Sequence, residues 1–299
     1  MSKNFTKYML PEDERQYMLD DQFEIYEKHG APIGATGIHT HNFYELIYVM
    51  EGEFSSFIEN STYNLKKGDF LLIDQNVMHR YHYVEKKHDH SRRIVLWMKR
   101  DMLRQMSSED VDLSRCFTEK GSGAYHFPIY YEEMLRGMLM KIALADSPEL
   151  MHIKGKKLLD KSYLTLFFVY LNELCCREEF YFSEEELVSH PLVKEVSDYV
   201  DCHVEETISV DQLACHVNMS KYHFLRRFKE LTGMTVHSFI NNKRLILACE
   251  KIRRNCPITQ AYQSAGFTDY SSFYRNFRSV YGLSPKDYRK YYIHGEGTD

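Results

Sequence analysis

Residues 266–278 have the sequence GFTDYSSFYRNFR, in which Asp269 is placed to cap a short helix with aromatic residues on one face and arginines on the other. The same pattern occurs 49 residues earlier. Equivalent positions pair Phe224 with Phe273, Arg226 with Arg275, Phe228 with Phe277, Lys229 with Arg278, Gly233 with Gly282, Thr235 with Ser284 and Phe239 with Tyr288. Such a repeat predicts two copies of one helical unit.

The first copy predicts two short helices joined by a turn. Ser209 and Gln212 form a capping-box pattern that opens a helix running through Val217. Ser220 is the expected N-cap of a second helix, which runs through Leu231 and stops at Gly233. This is the helix-turn-helix arrangement. Between the two copies, apolar residues at helical spacing predict a connecting helix: Val236, Phe239, Ile240, Leu247, Ala248 and Ile252.

The outward faces of the two capped helices carry side chains suited to DNA. A recognition helix presents donors and flat apolar groups to base edges, with flanking cations for phosphates. Arg226 is the best candidate for bidentate hydrogen bonds to guanine, while Tyr222 and Leu225 suit thymine methyl groups. The predicted DNA-contact residues are Lys221, Tyr222, Leu225, Arg226 and Lys229 in the first copy and Tyr270, Ser271, Ser272, Arg275 and Arg278 in the second.

The charge of the chain is unevenly distributed. The formal net charge of −5 alone would argue against a nucleic-acid partner. Residues 221–290, however, hold 14 Lys and Arg against 4 Asp and Glu, so the remainder carries 24 basic and 39 acidic residues. An acidic body with a basic end indicates an anion-binding module near the C-terminus.

Residues 196–290 resemble the DNA-binding domain of AraC/XylS-type transcription regulators, most closely over residues 266–289. The resemblance implies two helix-turn-helix units that enter successive major-groove segments on one face of double-stranded DNA. The family's base-contacting positions match the following residues of this chain: Tyr222, Leu225, Arg226, Tyr270, Ser271, Ser272 and Arg275. One departure is the pair Ala261-Tyr262, where the family usually has Ile-Ala, so a phenol at that helix contact is expected to alter the packing of the second unit.

The resemblance also implies a function for the whole chain. It describes a regulator, not an enzyme, that responds to a small-molecule effector and activates, or less often represses, a nearby promoter. RNA polymerase is then a further expected partner. Helical patterns over 129–145 and 150–176 leave an apolar stripe wider than the rest of the domain needs, which predicts a homodimer interface as in relatives.

The N-terminal half has a different periodicity. From about Phe23 to Met98, short alternating segments such as Phe43–Val49 predict an antiparallel sandwich or barrel. The expected class is α+β, with an antiparallel β-barrel that is cupin-like in the motif spacing of residues 39–52, a helical middle region and an all-α tandem helix-turn-helix domain. The predicted boundaries are a sensing domain at 1–127, a helical dimerisation region at 128–183, a linker at 184–190 and the DNA-binding domain at 191–299.

Residues 39–52 follow the first cupin motif in spacing, H-x-H-x3-E-x6-G. At a period of two, His39, His41 and Glu45 share one face of a strand. A partial second motif adds His79, although Lys66 stands where a proline is common. Three imidazoles and a carboxylate form a plausible ligand set for Zn, Ni, Mn or Fe(II).

Three interpretations of this cluster stay open. It could bind a metal, it could hydrogen-bond a sugar or other polar effector, or it could be purely structural. The aromatic residues nearby suit stacking on a sugar ring but are equally ordinary core: Phe43, Tyr44, Tyr48, Phe54 and Phe57. A second group, His88-Asp89-His90, lies in a charged loop where solvation is the simpler expectation.

Two rival functions are a metal-dependent cupin enzyme with an appended helical domain and an adaptor that binds DNA constitutively. The longest apolar run, 164–171, is far below the ~20 residues of a membrane helix, so no membrane association is expected. An N-terminus without a secretory apolar stretch and an odd number of cysteines, seven, predict the cytoplasm.

Overall fold

The structure, a computed structural model, describes residues 18, 20, 22–29, 39–82, 91–145, 152–183, 187–281 and 283–294 of the 299-residue chain. The described residues fall into two compact units. The first lies within Met1–Thr36, Asn42–Val77 and Tyr81–Val188, and the second within Gly37–His41, Met78–Arg80 and Ser189–Asp299. The predicted His88-Asp89-His90 group and the glycine stop Gly282 lie outside the described residues.

Two β-sheets are built from the described strands: β1 (Phe23–His29), β2 (Tyr44–Glu51), β3 (Glu53–Ile58), β4 (Ser61–Lys66), β5 (Asp69–Ile73), β6 (His79–His82), β7 (Arg92–Met98), β8 (Gly123–His126) and β9 (Leu187–Ser189). The five-stranded sheet has the order β1-β7-β2-β5-β8 and the four-stranded sheet the order β6-β3-β4-β9. In the larger sheet, β2 pairs antiparallel with both neighbours, which places Leu46 opposite Leu96 and Leu72. The expected antiparallel N-terminal architecture is confirmed.

Strand β2 is apolar on both faces because both faces are covered. Tyr44, Leu46 and Tyr48 belong to a core that also contains residues of the middle helices, such as Leu164. The alternate residue Ile47 belongs to a second core with Phe54 and Leu65 of the smaller sheet. A strand buried on both sides loses the polar alternation of a one-sided strand, which explains the apolar run from Leu46 to Met50.

The helices of the first unit are α1 (Arg100–Met106), α2 (Arg115–Thr118), α3 (Ile129–Ala145) and α4 (Lys156–Cys175), followed by a 3-10 turn at Glu178–Phe180. The predicted bounds of α3 are confirmed. Helix α4 was expected from Leu150 but begins at Lys156, because Gly155 precedes it with a left-handed φ of 88°. The short helices α1 and α2 and strand β8 were not predicted.

The second unit contains α5 (Pro191–His203), α6 (Val210–His216), α7 (Lys221–Thr232), α8 (Val236–Arg253), α9 (Ile258–Gln263), α10 (Tyr270–Tyr281) and α11 (Pro285–His294). Both hydrogen bonds of the predicted capping box form, from the Gln212 amide to Ser209 Oγ at 3.1 Å and from the Ser209 amide to Gln212 Oε1 at 2.8 Å. Ser220 occupies the N-cap of α7, but its side chain makes no cap hydrogen bond.

The repeat extends to the helices that follow each copy. Thr235 Oγ1 accepts a hydrogen bond from the Ser238 amide at 3.1 Å at the start of α8. At the equivalent place in α11, Ser284 Oγ accepts from the Asp287 amide, also at 3.1 Å. The connecting helix was predicted and α11 was not, although the repeat already contained its cap. None of the described helices is long and apolar enough to cross a membrane.

Candidate nucleic-acid interface and histidine cluster

Helix α7 turns its aromatic residues inward and its basic residues outward. Phe224 and Phe228 are fully buried, whereas Tyr222 is 88% exposed. The other predicted contact residues share the outer surface, with Lys221, Arg226 and Lys229 exposed and Leu225 partly buried. The helix therefore presents the predicted surface to solvent, where DNA could reach it.

Outward-facing charged side chains of α7 form exposed ion pairs. Lys221 Nζ lies 2.9 Å from Asp211 Oδ2 of α6. Glu230 lies 3.7 Å from Arg226 Nε and 3.4 Å from Arg227 Nη1. Exposed pairs of this kind contribute about 0–1 kcal/mol, so a phosphate or a base edge can replace them at little cost.

Helix α10 repeats this arrangement. Asp269 Oδ1 accepts a hydrogen bond from the Ser272 amide at 2.7 Å, which confirms the predicted N-cap. Phe273 and Phe277 are fully buried, and Tyr270 is 45% exposed. Of the other predicted contact residues, Ser271, Arg275 and Arg278 are exposed and Ser272 is partly buried.

Tyr262 fills the place where the sequence departs from the family pattern. Its ring stacks on Phe273 with centroids 5.4 Å apart and an interplanar angle of 20°. It also lies 5.6 Å from the ring of Tyr270. Ala261 beside it is fully buried. The phenol is thus accommodated by stacking behind the first turn of α10, where it supports Tyr270.

Three of the predicted histidines form one group. His41 and His79 are fully buried, His39 is partly buried, and their ligand atoms lie within 4.8 Å of one another. The ring centroids are 4.2 Å apart for His39 and His79 and 4.8 Å apart for His41 and His79. Paired backbone hydrogen bonds of 3.0 Å between His39 and His79 fix the two segments against each other.

The fourth predicted member, Glu45, has other partners. Its buried carboxylate accepts a hydrogen bond from Trp97 Nε1 at 2.8 Å and one from the Tyr81 hydroxyl at 2.6 Å. Burial and the nearby Glu45 charge raise the pKa of Tyr81, so this phenol stays a donor. Among the described residues, the group with metal-ligand spacing consists of the three histidines.

Arg80, which the sequence did not single out, contacts the end of α7. Its Nη2 donates a hydrogen bond to the Leu231 carbonyl oxygen at 3.0 Å. Leu231 itself is partly buried. Burial lowers the pKa of Arg80, yet the guanidinium stays charged. A cation at a helix C-terminus satisfies an otherwise unpaired carbonyl and interacts favourably with the helix dipole.

These features define a two-part protein in which a β-sheet domain precedes a tandem helix-turn-helix domain with exposed basic helices. Two family models match it, "AraC-like ligand binding domain" over residues 27–110 and "Helix-turn-helix domain" over residues 213–291. The chain thus combines an AraC-like ligand-binding domain with a C-terminal helix-turn-helix domain, an arrangement that fits the AraC family.

Curated relatives agree with this assignment. The chain is 36% identical to the probable transcriptional regulator LumQ of Photobacterium leiognathi, over 31% of this chain and 38% of the relative. It is 32% identical to the MmsAB operon regulatory protein of Pseudomonas aeruginosa, over 33% of each. An uncharacterized HTH-type transcriptional regulator of Staphylococcus aureus is 22% identical over 81% of this chain and 31% of its own length. The chain thus spans about a third of these relatives, and their names do not favour the cupin enzyme.

Two solved structures are also similar to this chain. Wild-type ToxT from Vibrio cholerae, solved with a bound unsaturated fatty acid, is 14% identical, with a TM-score of 0.38 over 94% of this chain and 99% of that one. The DNA-binding domain of AdpA, solved with a target DNA, is 28% identical, with a TM-score of 0.33 over 36% of this chain and 100% of that one.

Proposed function

We propose that the chain is a sequence-specific, effector-responsive transcription regulator that reads double-stranded DNA with helices α7 and α10. The observation that carries this proposal is the repeated arrangement of the two helices, each of which buries a phenylalanine pair and exposes its basic residues. Side chains of this type supply both the phosphate contacts that dominate affinity and the base contacts that give specificity.

Base reading is divided between the two helices. In α7, Arg226 reads guanine, and Tyr222 and Leu225 contact thymine methyl groups, while Lys221 and Lys229 bind phosphates. In α10, Tyr270, Ser271, Ser272 and Arg275 face the bases, and Arg278 binds phosphate. The stacking of Tyr262 behind α10 supports the second set, because it holds the first turn of that helix against its core.

The effector is expected to act through the N-terminal half of the sequence. We retain His39, His41, Glu45 and His79 as the proposed effector-contact residues, with a polar molecule such as a sugar as the organic candidate. The aromatic side chains that would stack on a sugar ring are at most 2% exposed, which favours their role as core: Phe43, Tyr44, Tyr48, Phe54 and Phe57.

We also propose that the chain acts as a homodimer through helix α4. Four apolar side chains on this helix remain exposed: Leu158, Leu166, Val169 and Tyr170. A helix in a soluble domain normally buries its apolar stripe, so a second copy is the proposed cover. Size-exclusion chromatography with light scattering should give a dimer that Leu166→Glu dissociates and Lys161→Glu does not, whereas a monomeric parent chain at micromolar concentration would contradict the proposal.

RNA polymerase is a further proposed partner, since a regulator of this kind acts beside a promoter. The cytoplasm is the proposed location, because it holds the DNA target and suits the seven free thiols of the chain.

Binding-site selection from random double-stranded DNA, followed by hydroxyl-radical footprinting, tests the proposed function. We expect one enriched motif with two protected segments about 10 base pairs apart, the spacing of successive major grooves. The double variant Arg226→Ala/Arg275→Ala should lose the motif. Arg104→Ala, which removes an exposed arginine of α1, should retain it. Failure of the parent chain to enrich any motif would contradict the proposal.

A further inference from the structure

We propose that His39, His41 and His79 bind a divalent transition-metal ion, and that this ion strengthens DNA binding by acting through Arg80 on the C-terminal end of helix α7. The inference rests on the proposed function and adds a metal ion as the ligand that regulates DNA binding. The ion belongs to the class that imidazole nitrogens prefer, for which Zn²⁺ is the probe.

The donor set fits such an ion. Three imidazoles converge with ligand atoms within 4.8 Å of one another, and two of them are fully buried. Oxygen-preferring ions such as Mg²⁺ or Mn²⁺ suit the group poorly, because the Glu45 carboxylate is already hydrogen-bonded by Tyr81 and Trp97. The group therefore favours the imidazole-preferring ions, Zn²⁺, Ni²⁺, Fe²⁺ and Cu²⁺, over Mn²⁺.

In sequence the three histidines lie within the ligand-binding domain match, but in the structure they group with the unit that contains the proposed recognition helices. Segments Gly37–His41 and Met78–Arg80 fall within the range 27–110 that matches the ligand-binding family. They nevertheless group with the unit that contains α5 to α11. An ion bound by these histidines would consequently be held by residues that group with the proposed recognition helices.

Arg80 provides the link from the histidine group to α7. It follows His79 directly in the chain, and its Nη2 donates to the Leu231 carbonyl oxygen at 3.0 Å in the last turn of the helix. Its guanidinium also lies where a Cβ at Gly233 would clash with it. A single peptide bond therefore joins His79 to the residue whose side chain caps the recognition helix.

The sign of the effect on DNA affinity rests on two features that occur together, the histidine group and the contact of Arg80 with α7. The histidine group is assembled in the same structure in which Arg80 caps α7. We take the arrangement in which Arg80 caps α7 as the DNA-binding form, so an ion that binds the assembled group strengthens DNA binding, and linkage requires DNA to strengthen ion binding by the same factor. Coupling between two sites is typically about 5- to 150-fold.

Tag-free full-length protein, stripped of metal by a chelator and dialysed, provides the test. Isothermal titration calorimetry with Zn²⁺, and the absorption spectrum of the Co²⁺-loaded protein, report binding directly. Fluorescence anisotropy then gives the affinity for the selected DNA with and without Zn²⁺. We expect one ion per chain, an increase in DNA affinity of about five-fold or more and an equal increase in Zn²⁺ affinity when DNA is bound.

Variants distinguish loss of metal binding by the histidines from loss of the coupling through Arg80 to DNA binding. His39→Gln, at the partly exposed position, should lose Zn²⁺ binding and the Zn²⁺ response while keeping the metal-free DNA affinity. Arg80→Met should keep Zn²⁺ binding and lose the response. His152→Gln, at an exposed histidine of the first unit, should behave as the parent chain.

The contrary results distinguish failure of the metal site, of the regulation and of the proposed function. Absence of stoichiometric Zn²⁺ binding would overturn the metal site. Zn²⁺ binding with unchanged DNA affinity, or a full response in Arg80→Met, would overturn the regulation. A chain that binds no preferred DNA sequence in either state would overturn the proposed function, and the inference with it, whatever its affinity for Zn²⁺.

Discussion

The ring of Tyr288 meets the ring of Phe277 edge-on, with centroids 5.2 Å apart and planes at 87°. In the first half of the tandem, Phe239 meets Phe228 in the same way, at 5.3 Å and 81°. These pairs are related by the 49-residue repeat. Each proposed recognition helix is therefore held from behind by the same aromatic contact, supplied by the helix that follows it.

Replacing Tyr288 with alanine should destabilise the C-terminal unit by about 3–5 kcal/mol, because it removes a fully buried ring. Urea unfolding followed by far-UV circular dichroism measures the change. Tyr288→Phe keeps the ring and should cost much less. Tyr222→Ala, at a position that is 88% exposed, should change stability by no more than about 0.5 kcal/mol. Similar costs for Tyr288→Ala and Tyr222→Ala would contradict the packing described.

The sequence was sufficient to predict the tandem because its determinants are local and repeated. The Ser209–Gln212 box, the Asp269 cap and the aromatic positions each lie within a few residues of their partners. Residue spacing also predicted His39, His41 and His79 as a group.

Contacts that depend on long-range packing were beyond prediction. Arg80 reaches Leu231 across 151 residues, and no local pattern marks either partner. The binding of Glu45 by Trp97 depends on strand register, which places Glu45 opposite Trp97 across β2 and β7. A motif of histidines and one carboxylate contains no information about such a competing donor.

Glu230→Gln should strengthen DNA binding. The Glu230 carboxylate lies 3.7 Å from Arg226 and 3.4 Å from Arg227, so it competes with DNA for Arg226 and adds a negative charge to the interface. Neutralising it should raise affinity several-fold at low salt, and the gain should shrink as salt screens the charge. Anisotropy titrations at two salt concentrations measure this effect, and weaker binding by the variant would be the contrary outcome.

Gly233→Ala should destabilise the chain more than Gly121→Ala. Both glycines have left-handed φ values, +77° and +74°, for which a Cβ costs about 1–2 kcal/mol. At Gly233 that Cβ would also meet Arg80, whereas at Gly121 no atom of the described residues lies within 4 Å of the equivalent position. Urea unfolding of the two variants gives the comparison, and equal costs would show that Arg80 does not pack there.

His190 should make stability fall as pH falls. Burial, followed by the charges of Arg227 and Arg80, lowers the pKa of His190 below its ordinary value of 6.5. Between that value and the lower folded pKa, the unfolded chain binds more protons than the folded chain. Neutral His190 therefore costs no stability above about pH 6.5, and the free energy of unfolding falls as the pH drops from there towards the folded pKa. His190→Gln should therefore lose less stability than the parent chain between about pH 7.5 and about pH 5. An unchanged pH dependence in the variant would contradict this assignment.

Specific readout of DNA by α7 is the central claim, and one set of anisotropy titrations tests it most directly. The titrations compare Arg226→Ala and Lys229→Ala on the selected DNA and on random DNA over a range of salt concentrations. Arg226→Ala should lose about 1–3 kcal/mol on the selected DNA and much less on random DNA. Lys229→Ala should weaken both alike and reduce the salt slope by about one. Equal losses on both DNAs for Arg226→Ala would contradict base reading by this helix.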